Sequence, residues 1–513
     1  MGLVIGSATA CHIENIHDRD PQVDPPAGSP PDATGDAPGN LPVDPAACSP
    51  AVLAIEHVTV LSMELGSVPL RDATVIVRDR RIAWIGAAAA AQVPSSATRI
   101  DGLGRWLVPG LVDAHVHVEN PRMMRLVLQD PDIDEGAIAD ADSLLPYVAF
   151  GVLQIGNMAA MSEAIGQRRA VETGAILGPH MMLAAMVDGE PPLWPIGFTR
   201  VAATPEDGRQ VVRDELAEGY DMVKVYSKLA LDTFTAIVDE ARQRGVKVVG
   251  HIPGRGTPID PYFQPGFTMI AHAEELAFRA QDGSDAEVAR MVALAAQSGT
   301  GLISTLTLDR RILEQTLDPT TLHTRPEMRF THPIVRRFWY ERNPYVGRHS
   351  PERIAQLEQL IAFNDKVVRA FVDAGLPVLA GTDSLVPGVV AGSALHDELA
   401  ALVAAGLTPY QALDAATRAP MTWMGVSSDR GTVSVGKRAD LLVLDGDPLA
   451  DIGNTRRIAG VIASGRWLPR AELASQLTAL AARYDGVTAA IARSRRATTL
   501  PPAELEVLLS GAR

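Results

Sequence analysis

Six side chains, scattered along 513 residues, have types and settings that could hold divalent metal ions. His115 and His117 stand two apart in Asp113-Ala-His-Val-His117. Lys224 lies in Val223-Lys-Val-Tyr226. His251 closes Val248-Val-Gly-His251, His272 closes Met269-Ile-Ala-His272, and Asp383 closes Leu379-Ala-Gly-Thr-Asp383. Imidazole nitrogens and a carboxylate oxygen are good zinc ligands. A lysine ammonium is a poor one, because a cation beside metals is strongly disfavoured. Its neutral amine, however, can add carbon dioxide to give a carbamate, an anion whose two oxygens can bridge two metals. On a strand, residues i and i+2 share a face, so His115 and His117 point the same way.

Each of these residues ends, or lies within, a short apolar run of strand character. Eight such runs occur: Leu107-VPGLVDAHVHV, Val152-LQIGN, His180-MMLAAM, Met222-VKVYS, Lys247-VVGHIP, Met269-IAHAEE, Thr300-GLISTLTL and Pro377-VLAGTDS. Amphipathic stretches such as 232–244 and 351–374 separate several of them. Repeated βα units imply a parallel sheet, and eight imply a closed (β/α)8 TIM barrel over residues 107–426, with its chemistry at the C-terminal ends of the strands. The flanking blocks, 51–106 and 427–469, alternate apolar and polar residues and are broken by Gly and Asp. They predict a small β-sandwich built from both ends of the chain. Residues 470–513 have helical spacing and predict a C-terminal helical extension.

The ordered set H-x-H, Lys, His, His, Asp at successive strand ends resembles the amidohydrolase superfamily. Gly110-LVDAHVH, Asp188-GEPPLWP, Leu379-AGTDS, Leu395-HDELAALVAAGLTPYQALDAAT and Gly431-TVSVGKRADLLVLDGDPL are similar to its imidazolonepropionase-like and prolidase-like branch. The resemblance implies a binuclear hydrolase of carbon–nitrogen bonds with two divalent ions, zinc first among them. His115, His117 and Asp383 would hold the more buried metal, His251 and His272 the other, and carboxylated Lys224 would bridge them. A hydroxide shared by the metals would be the nucleophile. Asp383 would carry its proton to the leaving amine. Tyr226 would donate to the developing oxyanion.

His180, at a strand start where relatives often carry Arg, and His396, beyond the eighth strand, are candidates for substrate binding. The segment from Arg325 to Arg348 holds Arg336, Arg337, Arg342 and Arg348 beside Phe338, Trp339 and Tyr340. It reads either as a surface helical hairpin or as a loop closing over substrate with an Arg clamping a carboxylate. A dipeptide or N-acyl amino acid is the expected substrate. A cyclic amide or lactone is the alternative, and a catalytically silent ligand-binding lipoprotein is a rival of another class.

The composition agrees with a large folded chain: 47% of residues are hydrophobic and 21% charged, enough to bury a core. With 46 Lys and Arg against 61 Asp and Glu, the net charge is −15 and no basic stripe favours nucleic acid. Two cysteines make no Cys-rich zinc module. No apolar run approaches the roughly 20 residues that span a bilayer. Residues 1–50 are a signal-like segment followed by a solvated linker rich in Pro, Asp and Gly. The start resembles a bacterial lipoprotein signal ending at Cys11. That implies export to the periplasm or cell surface with a lipid anchor at Cys11; the other reading is a cytoplasmic chain. The expected partner is a small-molecule substrate, and relatives that assemble through barrel helices imply a homo-oligomer.

Overall fold

The computed structural model describes residues 52–347 and 349–494. The N-terminal segment with Cys11, the end of the C-terminal extension and Arg348 lie outside the described residues.

All eight expected runs form parallel strands. In chain order they are Leu111–Val116, Val152–Asn157, His180–Asp188, Met222–Val225, Lys247–Gly250, Phe267–Ala271, Gly301–Ile303 and Val378–Leu379, each hydrogen-bonded to the next. The first and eighth meet through their backbones. Ala114 N donates to Ala380 O at 2.9 Å, and Asp383 N to His115 O at 2.8 Å. The closure needs Gly381, where a Cβ would sit 2.5 Å from Ile303 Cγ2 and 2.9 Å from His115 Cβ. Small and medium apolar residues fill the barrel interior, among them Ala114, Ala184, Met222, Val249, Met269 and Leu379.

Helices cover the outside, and their ends are set by local chemistry. The helix Pro205–Glu218 starts with a capping box between Thr204 and Asp207 and stops at Gly219, which has φ +99°. Leu231–Gln243 and Pro351–Asp373 occupy the stretches predicted for them. Arg470–Ser494 is the C-terminal helix, and its Leu480 and Tyr484 pack against Leu145 and Phe330. Among the described residues, no helix is long and apolar enough to cross a membrane.

The small domain is a single mixed sheet drawn from both ends of the chain. Val52–Val60, Leu70–Arg78, Arg81–Ala87 and Thr98–Asp101 come from the front, and Leu441–Leu444, Ile458–Ala463 and Arg466–Pro469 from the back. Trp106–Pro109 joins the two groups, pairing with both Val52–Val60 and Leu441–Leu444. The run beginning at Leu107 is therefore divided at Gly110 between this sheet and the barrel. The sheet carries its own apolar cluster, including Ile55, Val75, Leu107 and Val443.

Candidate metal centre

The six candidate residues meet at the C-terminal ends of the barrel strands. His115 Nε2 lies 3.3 Å from Asp383 Oδ1, and His117 Nε2 lies 3.0 Å from the same oxygen. Lys224 Nζ is 3.4 Å from His115 Nε2. The His272 ring is centred 4.5 Å from that of His115 and 4.9 Å from that of His251. His117, Asp383 and all four other candidates line one cavity, together with Tyr226, whose ring centre is 4.1 Å from that of His251. His272 and Asp383 hold left-handed φ values of 78° and 59°, strained for residues with a side chain.

Two of the imidazoles are aimed by neighbours. His251 Nδ1 lies 2.9 Å from Glu275 Oε1 and 3.2 Å from Ser227 Oγ, and His272 Nδ1 lies 3.0 Å from Thr305 Oγ1. Such contacts on one ring nitrogen reserve the other, Nε2, for a ligand. Glu275 is itself fixed by Ile252 N, which donates to its second oxygen at 3.1 Å. Asp113 braces the other side of the site. Its oxygens accept from Thr382 N at 3.0 Å and Thr382 Oγ1 at 2.7 Å, and from His115 N at 3.3 Å. One buried carboxyl thus ties together the strand ends that carry His115 and Asp383.

The electrostatics suit a cation. Burial, reinforced by Lys224, pushes His115 down to about 3, and burial lowers His251 and His272 as well, so these imidazoles are neutral donors. Burial alone would raise Asp383, but His272 and hydrogen bonding from His115 and His117 hold it well below the usual carboxylate range. Burial also lowers Lys224 to about 7. Neutral imidazoles and an ionised carboxylate are the protonation states that metal ligation requires. His115, His117 and Asp383 offer ligand atoms that all lie within 4.8 Å of one another. The Nδ1 atoms of both histidines are buried without a hydrogen-bond partner. The residues present therefore fit a metal.

Two sequence-based expectations are corrected. His180 begins its strand, at the end of the barrel away from the cavity. It is held there by Glu172 at 2.6 Å and by Asp440 of the mixed sheet at 3.2 Å. Its work is to join barrel to sheet, not to bind substrate. His396 faces inward from the helix Ser393–Ala404. Its Nδ1 lies 2.9 Å from Thr455 Oγ1 and its Nε2 2.9 Å from Phe150 O, so both nitrogens are engaged in packing.

The Arg-rich insert does reach the cavity, but among the described residues not through arginine. Phe338, Pro344 and Tyr345 are the residues of this segment that line it. Arg337 is held by Asp130 at 2.6 Å and by Glu341 at 3.1 Å, and Arg336 donates to Thr488 Oγ1 at 3.1 Å. The acidic run from Asp130 is thus the partner of the insert.

Sequence reasoning passed over several positioning residues. Asp188 is fully buried and accepts from the backbone of Gly189, Leu193 and Lys228 at 2.9, 3.0 and 2.6 Å. That network orders the loop whose Trp194 donates through Nε1 to Tyr226 Oη at 3.0 Å. The signal for Asp188 was present: a carboxylate at a strand end followed at once by Gly. Glu275 and Thr305 carried no such signal, because their partners come from other strands.

The chain belongs to the amidohydrolase family, whose model matches residues 106–468. It is similar to imidazolonepropionase of Mycolicibacterium smegmatis, with 55% identity over 49 residues, which is 10% of this chain and 12% of that protein. Among solved structures it resembles bottromycin amidohydrolase, with 23% identity and a TM-score of 0.66 over 85% of this chain and 92% of the other. It also resembles a Xaa-Pro dipeptidase with bound methionine in the active site, with 18% identity and a TM-score of 0.62 over 82% and 100% of the two chains. The family is one of hydrolases and is generally metal-dependent.

Proposed function

We propose that the protein hydrolyses an amide C–N bond at a centre for two divalent metal ions, zinc first among them, with Lys224 as a bridging carbamate. The observation that carries this reading is the placement of Lys224. It is 1% exposed and lies 3.4 Å from His115 Nε2 inside a group of four imidazoles and Asp383. A buried ammonium has no reason to be there, whereas an anionic bridge does.

His115, His117 and Asp383 would hold one ion and His251 and His272 the other. The metals would supply Lewis acidity and bring the pKa of water down towards about 7. Asp383 is the carboxylate positioned to take the proton of the attacking water and deliver it to the departing nitrogen. Tyr226 is kept as a neutral phenol, because burial raises its pKa. Its oxygen already accepts from Trp194, so its own O–H is free to donate to the developing oxyanion. A dipeptide or N-acyl amino acid is the substrate that the prolidase-like resemblance implies; the arginine clamp expected from the insert is not among the described residues lining the cavity.

The test is reconstitution with zinc and bicarbonate, followed by metal analysis and a panel of amides. About two metals per chain and amide hydrolysis are expected. A protein that binds no metal after reconstitution overturns the proposal.

A further inference from the structure

The cavity wall facing the imidazoles is apolar and built from separate parts of the chain. Met123 and Met124 come from the helix Pro121–Leu128, Met186 from the third barrel strand, Trp194 from the following loop, Phe338 from the insert and Leu385 from the loop after the eighth strand. Met123, Met124, Phe338 and Leu385 belong to one continuous apolar cluster, and Trp194 packs against it. Methionines and aromatic rings make an adaptable surface for bulky apolar groups.

The charges on the lining run the other way. Its carboxylates are Asp383 and Glu274, and its one ammonium, Lys224, is buried against His115 within the catalytic cluster. No guanidinium lines the cavity among the described residues. Two arginines of the insert are held elsewhere: Arg337 by Asp130 and Glu341, and Arg325 by Glu327 at 2.6 Å and Asp397 at 3.2 Å. A substrate carboxylate against this wall would be stripped of water with no side-chain cation to meet it, since the proposed metal ions are held by the imidazoles and Asp383 and serve the scissile amide.

We infer that the site selects an uncharged amide flanked by bulky apolar groups, with its carboxylate absent or blocked. This rests on the proposed amide hydrolysis. Water adds across the bond, a C–O bond forms at the acyl carbon, the C–N bond breaks, and the nitrogen leaves with a proton as the free amine.

One matched pair tests it: N-benzoyl-L-leucine and N-(3-methylbutyl)benzamide, which share the scissile benzoyl–nitrogen bond and differ by the carboxylate. The reconstituted protein should prefer the neutral compound in kcat/KM by roughly 10²-fold or more, the size of effect of leaving a buried charge uncompensated. Calorimetry with the same pair reads binding if neither is turned over. Tighter binding of the neutral compound without turnover of any amide supports the selectivity and defeats the hydrolase reading alone. Equal or better use of the acid, by rate or by affinity, overturns the inference, as does failure of both compounds to bind. The Arg348→Ala variant closes the remaining route: a preference for the neutral compound unchanged in the variant supports the inference. Acid turnover that disappears in it identifies a carboxylate clamp and refutes it.

Discussion

Replacing Asp113 should separate the scaffold of the site from its ligands. This side chain is not part of the lining of the metal-site cavity, yet it accepts three hydrogen bonds that join His115 and Thr382, the residue before Asp383. It is fully buried, and burial raises its pKa to about 8, so near neutral pH it is largely a protonated carboxyl. In Asp113→Ala, the Thr382 hydroxyl loses its acceptor, while Thr382 N keeps His115 O at 3.2 Å. Each buried donor left unsatisfied costs about 1–3 kcal/mol. The contact with His115 N is longer, at 3.3 Å, and adds less. The sum is about 2–4 kcal/mol, and the strained backbone at Asp383 loses its brace. Asp113→Asn mimics the protonated carboxyl: its carbonyl can still accept the backbone donors, and its amide can donate to Thr382 Oγ1. It should cost about 1 kcal/mol, the worth of one ordinary hydrogen bond. Thermal unfolding and metal content, measured on both variants beside the parent, read the two effects. The alanine variant should unfold much earlier and lose metal, while the asparagine variant keeps both near the parent values. An alanine variant as stable and as metal-replete as the parent would show that this bracing is not what holds the site. Equal damage in both variants would place the effect in the charge of Asp113.

His115→Ala and His251→Ala should each abolish turnover and reduce bound metal, by elemental analysis; full activity in either refutes the assigned centre. Activity should depend on carbon dioxide or bicarbonate during reconstitution, and Lys224→Arg, which cannot form the carbamate, should show no such response. His180→Ala should lower the unfolding temperature while leaving the kcat and KM of the folded protein unchanged, because it removes only the bridge between Glu172 and Asp440; a large change in KM would restore it to substrate binding. Glu398 is buried and accepts from Ser304, Leu306 and Thr307, and burial raises its pKa from 4.5 to about 7. A raised carboxyl pKa means that the unfolded chain releases its proton first, so this contribution is full below about pH 4.5 and fades as pH rises towards 7, by about 3 kcal/mol at most. The stability difference between the parent and Glu398→Gln should therefore shrink over that window in pH-dependent unfolding, and a difference that is flat or grows tells against it.

The alternation of short apolar runs with amphipathic stretches was enough to read eight barrel strands, because strand and helix periods are local properties of the chain. The site was legible for the same reason: His115, His251, His272 and Asp383 close their runs, Lys224 lies within one, and a closed barrel brings such positions to one rim. His180 and His396 were misread because a lone histidine carries no mark of its partners; Asp440 lies 260 residues beyond the first, and Phe150 lies 246 residues before the second. The insert was half legible. Its aromatic residues do line the cavity, but whether its arginines face substrate or Asp130 depends on a segment two hundred residues away. Residue type and spacing pointed to the candidate set and determined the architecture that gathers it. Only the tertiary structure decided which nitrogens are reserved by Glu275 and Thr305, and how Asp113 ties His115 to Asp383. It also decided that the opposite wall is apolar, because these are contacts between side chains that no local pattern encodes.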